Sequence, residues 1–205
     1  MWEGLQSVAA PGFASLFGNL ALEPLVAERV RITVAGFSDD VIEYMHLEDL
    51  RGDVAIPKPS SRGSTSYAAA FGYLRLRVSQ DVSSLKELGH QVYRPIAFFI
   101  TDGYPNPGDN WRAALKTLLR EDEYPRIVAF GLPGSSLELL RMIAYRPELA
   151  FVGDETLNLA TVLRRFFEDL TASIVQSTMA AIDGKPDLIV PLPSGEAALD
   201  NDDFV

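Results

Sequence analysis

The feature that most constrains the fold is the run Pro-Ile-Ala-Phe-Phe-Ile-Thr-Asp-Gly at residues 95–103. An unbroken apolar run of this length is typical of a strand buried on both faces, as in a parallel sheet. Gly103 and the prolines that follow it indicate a sharp turn. Asp102 is therefore expected at the carboxyl end of a buried strand, the edge where open α/β sheets bind ligands. From its position alone, this carboxylate can be a metal ligand, a general base or a helix cap.

Composition narrows the class of protein. The chain has 205 residues, of which 47% are hydrophobic, enough for one globular domain with a core. Its formal net charge of -10, without a visible basic stripe, argues against a nucleic-acid partner. The absence of cysteine excludes disulfides and thiolate metal sites and is compatible with the cytoplasm. The N-terminal region lacks the basic residues of a secretory signal, and prolines and polar residues interrupt its apolar stretch, so no membrane span is predicted.

Hydrophobic periodicity gives the order of elements. Residues 3–20 have helical spacing with Pro11 in the middle, which predicts a kinked or split helix. Residues 29–38 and 41–47 are predicted strands, and their short link requires an antiparallel hairpin at a sheet edge. A helix is predicted from about Thr65, with a break near Asp81.

After this helix the pattern alternates between strand and helix. Strands are predicted at 95–102, 126–132 and 150–153, and helices after 110, at 136–145 and at 155–181. Asp109 or Asn110 is a candidate cap for the first of these helices, and Ser135 with Glu138 has the spacing of a capping box for the second. This order predicts a three-layer α/β domain, mostly parallel with one antiparallel edge strand, over residues 1–181. The acidic, proline-containing residues 182–205 are predicted to form a flexible or loosely packed tail.

Two short segments could converge at one edge of this sheet. One is Gly63-Ser64-Thr65-Ser66, which leads into a helix, and the other is Thr101-Asp102-Gly103. Hydroxyl and carboxylate oxygens are ligands that suit Mg²⁺ and similar hard ions. Each segment also has an ordinary interpretation, as a helix cap and as a turn respectively.

Together, and in this order, the segments resemble the von Willebrand factor A (vWA) family and its metal-ion-dependent adhesion site. In that family a DxSxS motif ends the first strand, a Gly-x-Thr loop follows, and Thr-Asp-Gly ends the fourth strand. Thr65 matches the family threonine, Asp102 matches the aspartate, and the hairpin at 32–47 matches the second and third strands. The resemblance covers about residues 1–180. Within the family, the sequence looks most like stand-alone bacterial vWA proteins of the tellurium-resistance type, which are cytoplasmic.

The sequence departs from the family at its start, because it contains no DxSxS motif. Met1 aligns with the methionine that often follows that motif, so the first strand is expected to be missing. In the family this strand lies mid-sheet. A misassigned start of the reading frame is the favoured explanation, and a fragment or a direct closing of the two neighbouring strands are the alternatives.

The resemblance implies a function in binding, not catalysis. Thr65 and Asp102 are the predicted metal ligands, and the ion is Mg²⁺ or Mn²⁺, bound weakly because two ligands are few for a hexacoordinate ion. A Glu or Asp of a partner protein fills the open position. The alternatives are a metal-free, degenerate vWA scaffold and a Mg²⁺-dependent hydrolase that uses Asp102. The hydrolase has little support, because the chain lacks a G-x-S-x-G elbow and a phosphate-binding loop, and His46 and His90 are predicted to lie on the surface.

Aromatic residues could border the contact with a partner. Tyr104 and Trp111 are the candidates, although Trp111 is better explained as a helix residue that packs on the sheet.

Overall fold

A computed structural model describes residues 3–59, 64–192 and 195–197, with the side chains of 3–8 and 191–197 left out. Within these ranges the helices are α1 (Glu3–Ala21), α2 (Pro24–Arg29), α3 (Tyr67–Glu87), α4 (Trp111–Leu118), α5 (Leu137–Ile143) and α6 (Leu159–Ile182). The strands are β1 (Arg31–Phe37), β2 (Val41–Asp49), β3 (Ile96–Thr101), β4 (Arg126–Gly131), β5 (Ala150–Val152), β6 (Val190–Leu192) and β7 (Gly195–Ala197). A short 3₁₀ helix, Pro147–Leu149, precedes β5.

The chain divides into two compact units. Of the described residues, the first unit contains 3–36, 43–59, 157–192 and 195–197. The second contains 37–42 and 64–156, and therefore both segments that the sequence singled out.

In the first unit, α1 packs along α6. The ring of Phe13 meets that of Phe167 edge-on, with 5.0 Å between the centroids. The helix runs without interruption through Pro11, so of the two predicted outcomes the split is not found, and the kink stays a prediction. Pro11 removes one backbone hydrogen bond, but tertiary packing supplies most of a helix's stability, and the residues directly after Pro11, Gly12 and Phe13, contact Phe167 of α6.

The predicted hairpin is confirmed: β1 and β2 form a two-stranded antiparallel sheet. Its open end is tied by Arg31, whose guanidinium lies 3.0 Å from the carboxylate of Asp49. Further along, the Leu47 amide donates to the hydroxyl of Thr33 at 3.0 Å. These contacts fix the register of the strands independently of the turn.

The second unit is built on a parallel sheet in the order β3-β4-β5. Strand β4 is the central strand and is almost wholly buried. In the register of β3 and β4, Thr101 lies opposite Gly131, so both strands end at the same edge. The core of this unit joins α3, α4, α5 and the sheet, and its large side chains include Tyr67, Phe71, Phe99, Trp111, Ile127 and Leu140.

Two predictions about the sheets need correction. Strand β3 is not buried on both faces: Phe99 and Thr101 are buried, whereas Ile96 is 37% exposed. The cause is its position at one end of the three-stranded sheet, where β4 is its one hydrogen-bonded neighbour among the described strands. The single, mostly parallel sheet is also not found, because β1-β2 and β3-β4-β5 are separate sheets in the described chain. The direct pairing of β1 with β3, one of the three alternatives, is therefore wrong.

The helices differ from the prediction in further details, of which two have a clear physical cause. Helix α3 continues through Asp81, where a break was predicted, because Asp81 pairs with Arg77 one turn earlier at 3.6 Å and Val82 is buried. Helix α5 has its cap one residue later than predicted. The hydroxyl of Ser136 accepts from the Leu139 amide, which leaves Ser135 free for another role.

The segment after α6 is better packed than its composition suggests. Leu188 is 1% exposed, and the Ile189 backbone is held by Ser173 and Ser177 of α6, at 2.6 and 2.9 Å. Residues 188–190 are therefore packed on the rest of the chain, while the flexible tail over residues 182–205 stays a prediction. Residues 198–205 lie outside the described part of the chain, where the prediction is not tested. Across the described helices, none combines the length and hydropathy needed to cross a bilayer.

Candidate functional site

The two predicted ligands lie on segments that contact each other. Thr65 ends the loop before α3, and Asp102 follows the last residue of β3. Asn106, four residues after Asp102, joins them: its side-chain oxygen accepts from the Thr65 amide at 2.9 Å, and its own amide donates to the Thr65 carbonyl at 2.9 Å. Both backbone groups of Thr65 are therefore fixed. Gly63, the first residue of the Gly-x-Thr motif, lies outside the described residues.

A buried tyrosine makes a second link between the segments. The Tyr67 hydroxyl donates to the Gly103 carbonyl at 2.6 Å and lies 3.0 Å from the hydroxyl of Thr101. The Tyr67 hydroxyl thus contacts the residues directly before and after Asp102 in sequence. Burial, with a smaller contribution from the charge of Asp102, raises the pKa of Tyr67 to about 12. The phenol therefore stays neutral at physiological pH and holds the end of β3 against α3.

Asp102 itself has few compensating contacts. Burial raises the pKa of its half-buried carboxyl, and a hydrogen bond from its own backbone amide opposes this shift. No Arg or Lys in the described ranges forms an ion pair with it. A partly desolvated carboxylate without a cation is unfavourable, so an added positive charge at this position would be stabilising.

The turn of the β1-β2 hairpin adds a third segment. The Ser64 hydroxyl donates to the carboxylate of Asp39 in this turn and accepts from the Asn106 side chain at 2.8 Å. The Ser66 amide donates to the Ser38 carbonyl at 2.7 Å. The hydroxyl of Ser64 is thus engaged, whereas that of Thr65 has no hydrogen bond among the described residues.

Sequence reasoning missed the role of Asp109. Its carboxylate accepts from the Tyr67 and Ala68 amides at 2.7 and 3.2 Å, and so caps α3 instead of the helix that follows it. Asn110 is at the N-cap of α4 but makes no capping bond through its side chain. With the Ser66 hydroxyl bound to the Ala69 amide, the first amides of α3 are occupied by side chains.

The signal for Asn106 and Asp109 was weak, because their partners are more than forty residues away in sequence. The available hint was that Asn and Asp in a turn-rich loop often hydrogen-bond to backbone groups. The spacing of residues in the sequence does not indicate which distant backbone groups Asn106 and Asp109 bind.

The loop after β4 borders the same edge. The hydroxyl of Ser135 lies 3.5 Å from the Thr101 carbonyl. A Cβ at Gly131 would be 2.5 Å from the Cβ of Ser135, so glycine is what allows this loop to fold back over the strand end. Of the two candidate aromatics, Tyr104 is 66% exposed and Trp111 only 3%. Trp111 is therefore a core residue, as its helical interpretation predicted.

The available donors limit the kind of metal site. Within the described ranges, no cluster of three or more His, Cys, Asp or Glu side chains is arranged to hold a metal ion. Both His46 and His90 are exposed, as predicted. A hydroxyl and one carboxylate are nevertheless compatible with Mg²⁺, which often keeps several waters and uses only one or two carboxylates. That Thr65 and Asp102 share one ion stays a prediction.

Comparison with known proteins gives the fold alone. The sequence matches no protein-family model and no curated protein sequence. Among solved structures it is similar to proximal thread matrix protein 1 (PTMP1) from the mussel byssus, with 20% identity over 80% of this chain and a TM-score of 0.50. It is also similar to the structure of PTMP1 with a zinc-occupied MIDAS motif, with 17% identity over 83% of this chain and a TM-score of 0.54.

The matched part is 42% of the PTMP1 chain in the first structure and 45% in the second, so this chain spans less than half of that protein. At such low identity the likeness carries no residue roles. Together with the helices and strands above, it shows that this chain has an α/β, vWA-like fold.

Proposed function

We propose that this chain is a metal-ion-dependent protein-binding module. Thr65 and Asp102 would hold Mg²⁺ or Mn²⁺, and a Glu or Asp of a partner protein would complete the coordination. The observation that carries the proposal is the contact between their two segments through Asn106, next to a half-buried carboxylate that has no cationic partner among the described residues. The fold of the chain, which resembles that of a protein with a metal-occupied adhesion motif, supports the proposal by analogy only.

The charges explain why such a site would seek an acidic partner. One carboxylate neutralises half of the charge of a divalent ion, and the hydroxyl of Thr65 contributes none. The ion would supply the remaining positive charge, which attracts an external carboxylate. The chain's own residues would hold the ion and orient the contact, and no covalent bond would be made or broken.

We further propose that the chain is not an enzyme. A hydrolase built on Asp102 would need a nucleophile that a base activates. The hydroxyls described at this strand end, those of Thr101 and Ser135, contact Tyr67 and backbone carbonyls instead of a histidine or a second carboxylate. The Tyr67 phenol is neutral because its pKa is raised to about 12, which makes it a poor base. A cytoplasmic location and a role in tellurite or stress resistance remain predictions from the family resemblance.

Calorimetric titration with Mg²⁺ and with Mn²⁺ tests the metal site. The wild type is expected to bind one ion per chain, weakly, and Thr65→Ala and Asp102→Asn are each expected to abolish the heat of binding. Asp122→Asn is the matched control, because Asp122 is an exposed carboxylate on the same unit, and this variant should bind as the wild type does.

Three results would contradict the proposal in different ways. Binding that survives both Thr65→Ala and Asp102→Asn would place the ion elsewhere. If neither ion binds the wild type at all, the metal-free scaffold becomes the better description. Turnover of a phosphoester that is lost in Asp102→Asn would favour the hydrolase.

A further inference from the structure

A groove on the second unit lies between α4 and α5 and has no role in the proposed metal site. It has a volume of about 450 Å³, and its lining includes Arg112, Leu115, Lys116, Leu119, Arg120 and Met142. A neighbouring depression of about 310 Å³ shares Arg112 and Met142 with it and reaches Tyr104 and Pro105, on the loop that follows Asp102. We name the first of these depressions the basic groove.

Three cations follow one side of the basic groove at a regular interval. Arg112, Lys116 and Arg120 are four residues apart and all exposed. Residues at this spacing lie on one face of a helix, about 6 Å apart along its axis. Although α4 ends at Leu118, the Arg120 amide still donates to the Thr117 carbonyl at 3.2 Å, which continues the turn.

These cations have no anionic partners among the residues that the structure describes. None of the three forms a salt bridge with an acidic side chain in the described part of the chain. The guanidinium of Arg112 instead lies 4.3 Å from the ring of Trp111 and 3.9 Å from the sulfur of Met142. Three exposed cations in one row, on a chain whose formal net charge is -10, form a local positive field on an acidic molecule.

The floor of the basic groove is apolar and partly exposed. Leu119 is 40% exposed and Met142 is 46% exposed, while Leu115 is buried beneath them. An unbranched, polarizable side chain such as Met142 adapts to varied apolar partners. Among the residues that line the two depressions the one acid is Glu138, which lines the neighbouring depression and not the basic groove.

The geometry points to an acidic peptide segment of a partner protein, bound in extended conformation along the row of cations. In an extended chain every second side chain faces the same way, at intervals of about 6.6 Å. This interval matches the spacing of Arg112, Lys116 and Arg120. Carboxylates at alternate positions would therefore face α4, and apolar side chains between them would face Met142. This contact needs no metal ion, so it can be tested independently of the proposed function.

The test is fluorescence anisotropy with a labelled peptide that alternates Asp and Leu, titrated with the full chain in EDTA. We expect salt-sensitive binding that Lys116→Glu weakens at least about tenfold. The matched control is Lys86→Glu, an exposed lysine at the end of α3 on the same unit, which should bind like the wild type. A peptide with Asn in place of Asp should not bind. Circular dichroism checks that each variant is folded.

Each result decides the matter. Equal losses in Lys116→Glu and Lys86→Glu would show general electrostatic attraction and overturn the site. Failure of the wild type to bind the Asp-Leu peptide would overturn the choice of partner. Asp102→Asn should retain full peptide binding in EDTA, and a loss there would mean that the peptide occupies the proposed metal site instead.

Discussion

Two aspartates on one loop show how the surroundings of a carboxylate determine its role. Asp109 accepts hydrogen bonds from two amides at the start of α3, so its charge is stabilised by the protein itself. Among the described residues, the carboxylate of Asp102 has a hydrogen bond from its own amide alone, and it is half-buried. The first aspartate is therefore expected to stabilise the fold, and the second to cost stability until a cation is bound.

The contribution of Asp109 can be measured with a neighbouring control. Asp109→Ala leaves the amides of Tyr67 and Ala68 without their acceptor, and we expect the free energy of unfolding to fall by about 1–2 kcal/mol. Asn110→Ala should change it little, because Asn110 makes no capping bond at α4. Urea denaturation of both variants measures these two changes in the free energy of unfolding. An equal effect would mean that any substitution in this loop lowers stability, and that the cap of α3 has no special contribution.

The pH dependence of Asp102 has a definite sign. Because burial raises its pKa in the folded state above the ordinary 3.8, the folded state favours the protonated form. The contribution of Asp102 to the stability of the wild type should therefore fall as pH rises from below 3.8 through the folded-state pKa, and its full cost should be present above it. Asp102→Asn lacks this titration, so without metal its stability relative to the wild type should increase over the same window.

Urea denaturation in EDTA, at a pH below 3.8 and near neutrality, measures this difference. The relative stability of Asp102→Asn should be higher at the neutral pH. A difference that stays constant with pH would show that Asp102 has an ordinary pKa in the folded chain.

At the scale of the elements, the contact of α1 with α6 depends on a glycine. A Cβ at Gly12 would lie 2.2 Å from the ring of Phe167, whereas a Cβ at Gly18 on the same helix would have no atom within 4 Å. Gly12→Ala should therefore lower the free energy of unfolding by about 1–3 kcal/mol through overpacking. Gly18→Ala should be neutral or stabilising by up to about 1 kcal/mol, because alanine is the better helix former.

Thermal or chemical denaturation of the two variants compares these expectations. If both alanines had the same effect, helix propensity alone would explain them, and the close approach of α1 to α6 would not be important for stability.

The pattern of apolar and polar residues along the chain was enough to predict most of the strands. Alternation and a short link gave the β1-β2 hairpin, and apolar runs gave β3, β4 and β5. Local pattern was not enough where a contact distant in sequence determines the structure. Helix α1 is not split at Pro11 while it packs on α6, and Asp109 caps a helix that begins 42 residues earlier in sequence. The candidate site follows the same division. The positions of Thr65 and Asp102 at the ends of their segments could be predicted, but the hydrogen bonds of Asn106 that join those segments could not.

At the scale of the whole molecule, acidity complicates any test for a metal. A chain with a formal net charge of -10 repels itself, so any added salt is expected to stabilise it to some degree by screening. A rise in melting temperature on adding Mg²⁺ is therefore not evidence for a site unless this general effect is removed. Matching the ionic strength with KCl does so, and comparison with Asp102→Asn then isolates the contribution of one carboxylate.

We expect Mg²⁺ to raise the melting temperature of the wild type above that of the matched KCl sample, and to leave no such excess in Asp102→Asn. An ion that binds only the folded state stabilises it by about 2.7 kcal/mol at a concentration one hundred times its Kd. For a chain of 205 residues this corresponds to a shift of roughly 5–10 °C. Asp122→Asn, which removes an exposed carboxylate from the same unit, should keep the whole excess. Equal shifts in the wild type and Asp102→Asn would mean that the ion acts on the acidic surface as a whole, and the proposed site would then have no part in the stability of this chain.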